Sequence, residues 1–144
     1  MSLKDGSKKM SKSELSDLSR INLTDNKDQI INKIKKAKTD PLPMPKSLKE
    51  IDERVEAKNL IGIYASLTNS TLEKSIENFA GKNFSEFKEK LSQVLVDKIE
   101  PISAEIKKLL ADQEYLDQIL LEGVEKANSI ASKKIERIKE IVGF

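Results

Sequence analysis

The sequence has 144 residues, 38% of them hydrophobic and 35% charged, with a net charge of +2. That supplies apolar content for one core and excludes a polycation, so any contact with nucleic acid must come from a local patch. Cys and His are both absent, which excludes disulfides, Cys-ligated zinc, thiol nucleophiles and any Ser-His triad. Apolar runs are short and interrupted by charge, and the opening lacks an apolar signal core, so a cytoplasmic setting without a membrane span is expected.

The chain opens Met1-Ser2-Leu3-Lys4-Asp5-Gly6-Ser7-Lys8, followed by Lys9-Met10-Ser11-Lys12-Ser13. Lys9 and Lys12 stand three apart, so a turn-like loop can aim both ammonium groups at one polyphosphate. The hydroxyls of Ser11 and Ser13 can hydrogen-bond phosphate oxygens, and Gly6 can take a positive φ where the loop bends. A solvated basic stretch and a basic targeting patch use the same residue types. With Gly6, several like charges and almost no apolar anchor, the first dozen or so residues read as mobile.

Glu14 to Thr24 joins this loop to a first helix, predicted from about Asn26 to Lys38. Asp25 is its expected cap, and Ile30, Ile31, Ile34 and Ala37 form its apolar stripe, with Lys27, Lys33, Lys35 and Lys36 covering the remainder. Pro41, Pro43 and Pro45 alternate with other residues, which is incompatible with a helix, so Pro41 to about Glu53 reads as a linker with a short helical turn. A helix near Ala57 carries Leu60, Ile61, Ile63, Tyr64 and Leu67 around most of its circumference, with Gly62 read as a site of close packing. Ser70-Thr71-Leu72-Glu73 has capping-box spacing, and Gly81 is a natural helix stop.

From about Ser85 to Ala111 the pattern is helical, with a kink or a fresh helix start expected at Pro101. Asp112 caps a last helix whose stripe includes Leu116, Leu120, Val124, Ala127, Ile130, Ile135, Ile138 and Val142, ending at Gly143, with the region of Ser132 open to a break. No repeat period is present. The predicted fold class is all-α: a helical bundle preceded by a flexible loop and a Pro-rich linker.

Lys9-Met10-Ser11-Lys12-Ser13 resembles the KMSKS signature of class I aminoacyl-tRNA synthetases. The flanking Ser2-Leu3, the Asp-Gly turn and the extra lysine resemble the tryptophanyl branch. So do Lys33-Ile34 through Thr39-Asp40, Asn59-Leu60 through Ile63-Tyr64, Glu122 through Asn128, and Val142-Gly143. Glu14-Leu15 stands where the family commonly has an Asp-Pro pair. The His-rich HIGH-type signature and the alternating strands of a Rossmann domain are absent, so the resemblance implies a C-terminal part beginning just before the loop.

The resemblance divides the chain into residues 1–24, the loop and tail of the catalytic domain; 25–56, a connecting helix and linker; and 57–144, a helical anticodon-binding region. It implies a ligase that activates tryptophan with ATP and transfers it to tRNA(Trp). Lys9 and Lys12 would be its catalytic phosphate contacts, and Lys9, Met10, Ser11, Lys12 and Ser13 its ATP-binding loop. Mg2+ would be carried on the ATP phosphates, with no metal ligand in this chain. The full-length enzyme would be a homodimer through the nucleotide-binding domain, and this chain alone an inactive monomer. The exposed basic residues Lys126, Lys133, Lys134, Arg137 and Lys139 are candidates for tRNA contact. A solvated helix face balanced by Glu125, Glu136 and Glu140 accounts for most of them. A stand-alone helical interaction module and the tyrosyl enzyme are the alternative readings.

Overall fold

In the computed structural model, which describes residues 1–143, the fold is all-α, with six helices and no strand among the described residues. The helices are α1 (Lys27–Lys36), α2 (Leu48–Asp52), α3 (Val55–Leu67), α4 (Leu72–Phe79), α5 (Phe84–Ala111) and α6 (Gln113–Val142), preceded by a single 3-10 turn at Asp17–Ser19. The chain forms two compact units, Met1–Ala104 and the residues from Glu105 onward.

In the first unit the core gathers Ile30, Ile34 and Ala37 from α1 and its end, Met44, Ile51 of α2, Leu60 and Ile61 of α3, Ile76 and Phe79 of α4, and Phe87, Leu91, Leu95, Val96 and Ile99 of α5. Phe79 lies between two rings, 5.0 Å from Tyr64 and 4.9 Å from Phe87 between centroids, both edge-on. That is the arrangement aromatic quadrupoles favour. Ile31, expected in the α1 stripe, is exposed instead.

Local chemistry sets the helix ends. Asn26, not Asp25, caps α1: its side chain accepts from the Gln29 amide while the Gln29 side chain accepts from the Asn26 amide, a reciprocal capping box. Asp25 is drawn inward to Lys33. At α4 the cap is Thr71, accepting from the Lys74 amide, one residue later than the Ser70 spacing suggests. Beyond α3, Asn69 takes a positive φ of 51°, a conformation Asn tolerates. Lys88 of α5 donates to the carbonyls of Lys35 (3.1 Å) and Ala37 (2.6 Å) at the end of α1, which otherwise lack helical partners. Burial there pushes the Lys88 ammonium below its ordinary pKa.

The proline segment is packed rather than free. Met44 and Pro45 are fully buried, and Met44 pairs through its backbone with Lys82 (2.8 Å) and Gly81 (3.0 Å). Arg54 clamps the same segment. Its guanidinium is bidentate to Asp40 at 2.9 and 2.6 Å and donates to the carbonyl of Pro43 at 2.7 Å. Prolines lack amide donors, so a side chain that donates to their carbonyls is the natural way to fix them.

Gly62 has nothing within 4 Å of the position a Cβ would occupy, so the close packing expected there is absent and the helix simply tolerates it. Proline 101 does not begin a new helix. The 28-residue α5 runs through it, because a proline deletes one ladder bond and the turns on either side retain theirs.

In the second unit the last turns of α5 are followed by α6, capped by Asp112, whose carboxylate accepts from the Tyr115 amide at 3.0 Å. The 30-residue α6 is unbroken at Ser132 and ends at Gly143, with φ 83°. None of its side chains is buried.

Candidate functional site

The opening residues are anchored before they reach the loop. Leu3 is 2% exposed, which corrects the expectation that this stretch lacks an apolar anchor. The Leu3 amide donates to the Ser19 carbonyl and its carbonyl accepts from the Lys38 amide, both at 2.8 Å. The Ser2 amide reaches the Lys8 carbonyl at 2.8 Å, closing residues 2–8 into a turn. Asn59 of α3 holds the first two residues, accepting from the Met1 amino group at 3.1 Å and donating to the Ser2 carbonyl at 3.0 Å.

Gly6 is needed for space rather than for conformation. Its φ is not positive, but a Cβ there would lie 2.9 Å from the Val55 carbonyl oxygen. The Ser7 hydroxyl and amide donate to the Asp5 carboxylate, with Lys8 adding a weaker ion pair at 3.5 Å. These contacts, the hydroxyl first, hold Asp5 below the usual carboxylate pKa.

Beyond this turn the chain emerges into solvent. Lys9, Ser11, Lys12 and Ser13 are exposed and Met10 is half-buried. Among the described residues neither Lys9 nor Lys12 makes an ion pair, so both ammonium groups stand uncommitted in one short loop. Ser11 and Ser13 exchange a hydroxyl hydrogen bond of 3.0 Å, and the Ser13 amide donates to the Ser11 hydroxyl at 3.3 Å. Leu15, in the position that departs from the family pattern, is fully exposed.

The loop exit is held by residues that the sequence reading did not single out. Arg20 donates through Nη1 to the carbonyls of Glu14 (3.1 Å) and Ser11 (3.4 Å). Its Nη2 pairs with Asp17 at 3.2 Å, and its Nε donates to Asn22 at 3.3 Å. Lys33, expected on a solvated face, is buried: its ammonium lies 2.6 Å from both Asp17 and Asp25. The Asp17 carboxyl sits below its ordinary pKa, chiefly through the Lys33 hydrogen bond and then through Asn22. Only the eight-residue separation of Asp25 and Lys33, about two helical turns, hints at this network in the sequence.

Among the described residues no group of three or more Asp and Glu is placed to hold a metal ion, and no helix is long and apolar enough to cross a membrane. On α6, Lys126, Lys133, Lys134, Arg137 and Lys139 are all exposed. Lys126 lies 3.9 Å from Glu122 rather than from Glu125.

This combination, a solvent-facing Lys-Met-Ser-Lys-Ser loop backed by a helical unit, has a counterpart among known proteins. The sequence pattern of the class I tRNA synthetases (W and Y) matches residues 1–100, and the chain belongs to that family. Within it the similarity is to the tryptophanyl enzymes. All 144 residues align with the tryptophan–tRNA ligases of Rickettsia felis (49% identity, 43% of that protein), Agrobacterium fabrum (48%, 41%) and Caulobacter vibrioides (46%, 42%). The chain thus spans about two fifths of the length of these curated relatives. The crystal structure of tryptophanyl-tRNA synthetase from Mycoplasma pneumoniae superimposes over the whole chain and 45% of its own length, with a TM-score of 0.67 and 24% identity, which supports the fold.

Proposed function

We propose that this chain works as the C-terminal part of a tryptophan–tRNA ligase, supplying the loop that meets the ATP phosphates and helices that contact tRNA. The observation that carries this reading is the pair of exposed lysines, Lys9 and Lys12, without an ion pair among the described residues, in a loop whose surroundings align along their whole length with tryptophan–tRNA ligases. In the first step the tryptophan carboxylate attacks the α-phosphate of ATP, and pyrophosphate leaves. Charge grows on the departing oxygens as the bond breaks, so ammonium groups held where that charge develops lower the barrier. Lys12 is assigned the principal contact and Lys9 the supporting one, with the Ser11 and Ser13 hydroxyls donating to phosphate oxygens and Met10 lining the adenine side through its backbone. Mg2+ enters on the ATP phosphates. In the second step the aminoacyl group passes to the terminal ribose of tRNA(Trp), and exposed basic residues of α6 are candidates for holding that partner.

The residues that hold tryptophan and ATP for attack belong to the part of the relatives that this chain does not span. Positioning supplies much of the rate, so the chain alone is inactive. The complete enzyme is a cytoplasmic homodimer through its nucleotide-binding domain, and without that domain the chain is monomeric. A chimera tests the reading: residues 1–144 joined behind the preceding portion of the Rickettsia felis ligase. Tryptophan-dependent pyrophosphate exchange by the chimera, and none by the chain alone, is the expected result. A folded chimera that binds tryptophan yet performs no exchange contradicts it and favours a stand-alone helical module.

A further inference from the structure

We infer that Arg20 is a positioning residue for the phosphate loop, fixing where Lys12 stands without itself touching substrate; this rests on the reading of Lys9–Ser13 as that loop. Every nitrogen of its guanidinium is committed. Nη1 holds the carbonyls of Ser11 and Glu14, which bracket Lys12 and Ser13, while Nη2 and Nε are held by Asp17 and Asn22. The Arg20 side chain is only 17% exposed, so the guanidinium is largely shielded, although the two loop carbonyls it holds stand at the surface.

The grip is anchored in turn. Asp17 offers one carboxylate oxygen to Arg20 and the other to Lys33, 2.6 Å away, and Lys33 is joined to the buried Asp25 just ahead of α1. Asn22 links the same two acids, donating to Asp17 at 2.9 Å and, through its backbone amide, to Asp25 at 2.8 Å. A short chain of charged hydrogen bonds therefore runs from Lys33, buried in α1, to the carbonyls of an otherwise exposed turn. The planar five-donor fork of arginine suits this role, because it satisfies two carbonyls, a carboxylate and an amide oxygen from one rigid group. Lysine offers a single charged point on a flexible stem and cannot span them.

Two measurements test the assignment. In the 144-residue chain, backbone order parameters of Lys12 and Ser13 should fall in Arg20→Ala from the ordered toward the flexible range, below about 0.6, while amides of α3 stay unchanged. Arg20→Lys should behave like Arg20→Ala rather than like the parent. In the chimeric ligase, both variants should slow the single-turnover rate constant for adenylate formation by about tenfold, the scale of one charged hydrogen bond, with tryptophan affinity unchanged. A rate constant is used because a merely destabilised protein loses amplitude, not rate. Unchanged loop order in Arg20→Ala overturns the proposal in the chain itself, whatever the chimera does. A loosened loop with an unchanged activation rate overturns it too, provided Lys12→Ala slows that step. If Lys12→Ala leaves the step unchanged as well, the phosphate-loop reading fails, and the positioning role fails with it.

Discussion

The ammonium of Lys33 lies 2.6 Å from the Asp25 carboxylate, and each side chain is 4% exposed, although the two residues are separated by two helical turns in the sequence. Removing Lys33 leaves the buried Asp25 carboxylate with only the Asn22 amide donors and no opposing charge. Lys33→Met should therefore destabilise the chain by about 3–5 kcal/mol, measured as a shift in the urea midpoint. Pairing it with Asp25→Asn should recover much of that loss, since the uncompensated charge is then gone. If the double variant is no more stable than Lys33→Met, the pair is not the source of the effect.

Gly6 and Gly62 should respond to alanine in opposite directions. At Gly6 the new methyl would meet backbone, the Val55 carbonyl at 2.9 Å, and overpacking against backbone costs about 1–3 kcal/mol. At Gly62, inside α3, the space is open, so Gly62→Ala should stabilise by up to about 1 kcal/mol through helix propensity. Thermal midpoints of the two variants check this, and equal shifts would contradict it.

Acid should weaken the fold through Asp40 and Glu56. Burial pushes the Asp40 carboxyl up, but the bidentate Arg54 and the Leu42 amide outweigh it and hold the pKa down. Lys38, 2.8 Å away, lowers that of Glu56. Depressed carboxyl pKa values mean that the unfolded chain binds more protons, so stability rises with pH through this range. The stabilisation is present above about pH 4, the unfolded range, and is lost as pH falls through the lower folded values. Urea titrations at a series of pH values should show this loss shrink in Arg54→Met, where Asp40 has no guanidinium to lose.

The first thirteen residues should not behave as one mobile piece. The Leu3 amide, bonded to the Ser19 carbonyl, and the Lys38 amide, bonded to the carbonyl of the buried Leu3, should exchange slowly, while those of Met10 to Lys12, which are exposed or half-buried, exchange rapidly. Uniformly fast exchange from Ser2 to Ser13 would remove Leu3 as the anchor.

What the sequence disclosed was mostly local. Asp112 and Gly143 mark the ends of α6 because capping is decided within a turn of chain, and the apolar stripes of α3 and α5 follow from helical periodicity. The loop lysines were legible because their motif is contiguous. Burial of Lys33 and the Arg54 clamp were not, because their partners stand eight and 14 residues away and are charged, so composition places them on the surface. Leu3 escaped for a related reason: one apolar residue among lysines reads as solvated until distant backbone closes over it. The proline segment looked like a linker because its order comes from Arg54 and from the 81–82 turn, not from its own hydrogen bonds.

Lys12 carries the proposed phosphate role of the loop, and single-turnover kinetics of Lys12→Ala in the chimeric ligase test that role most directly. Loss of one pre-organised charge at a leaving group costs about a hundredfold, so adenylate formation should slow by that order while the tryptophan dissociation constant holds. Transfer of preformed adenylate to tRNA(Trp) should suffer less, because pyrophosphate has already departed. An unchanged activation rate constant together with strongly weakened tryptophan binding would contradict the phosphate role assigned to this loop.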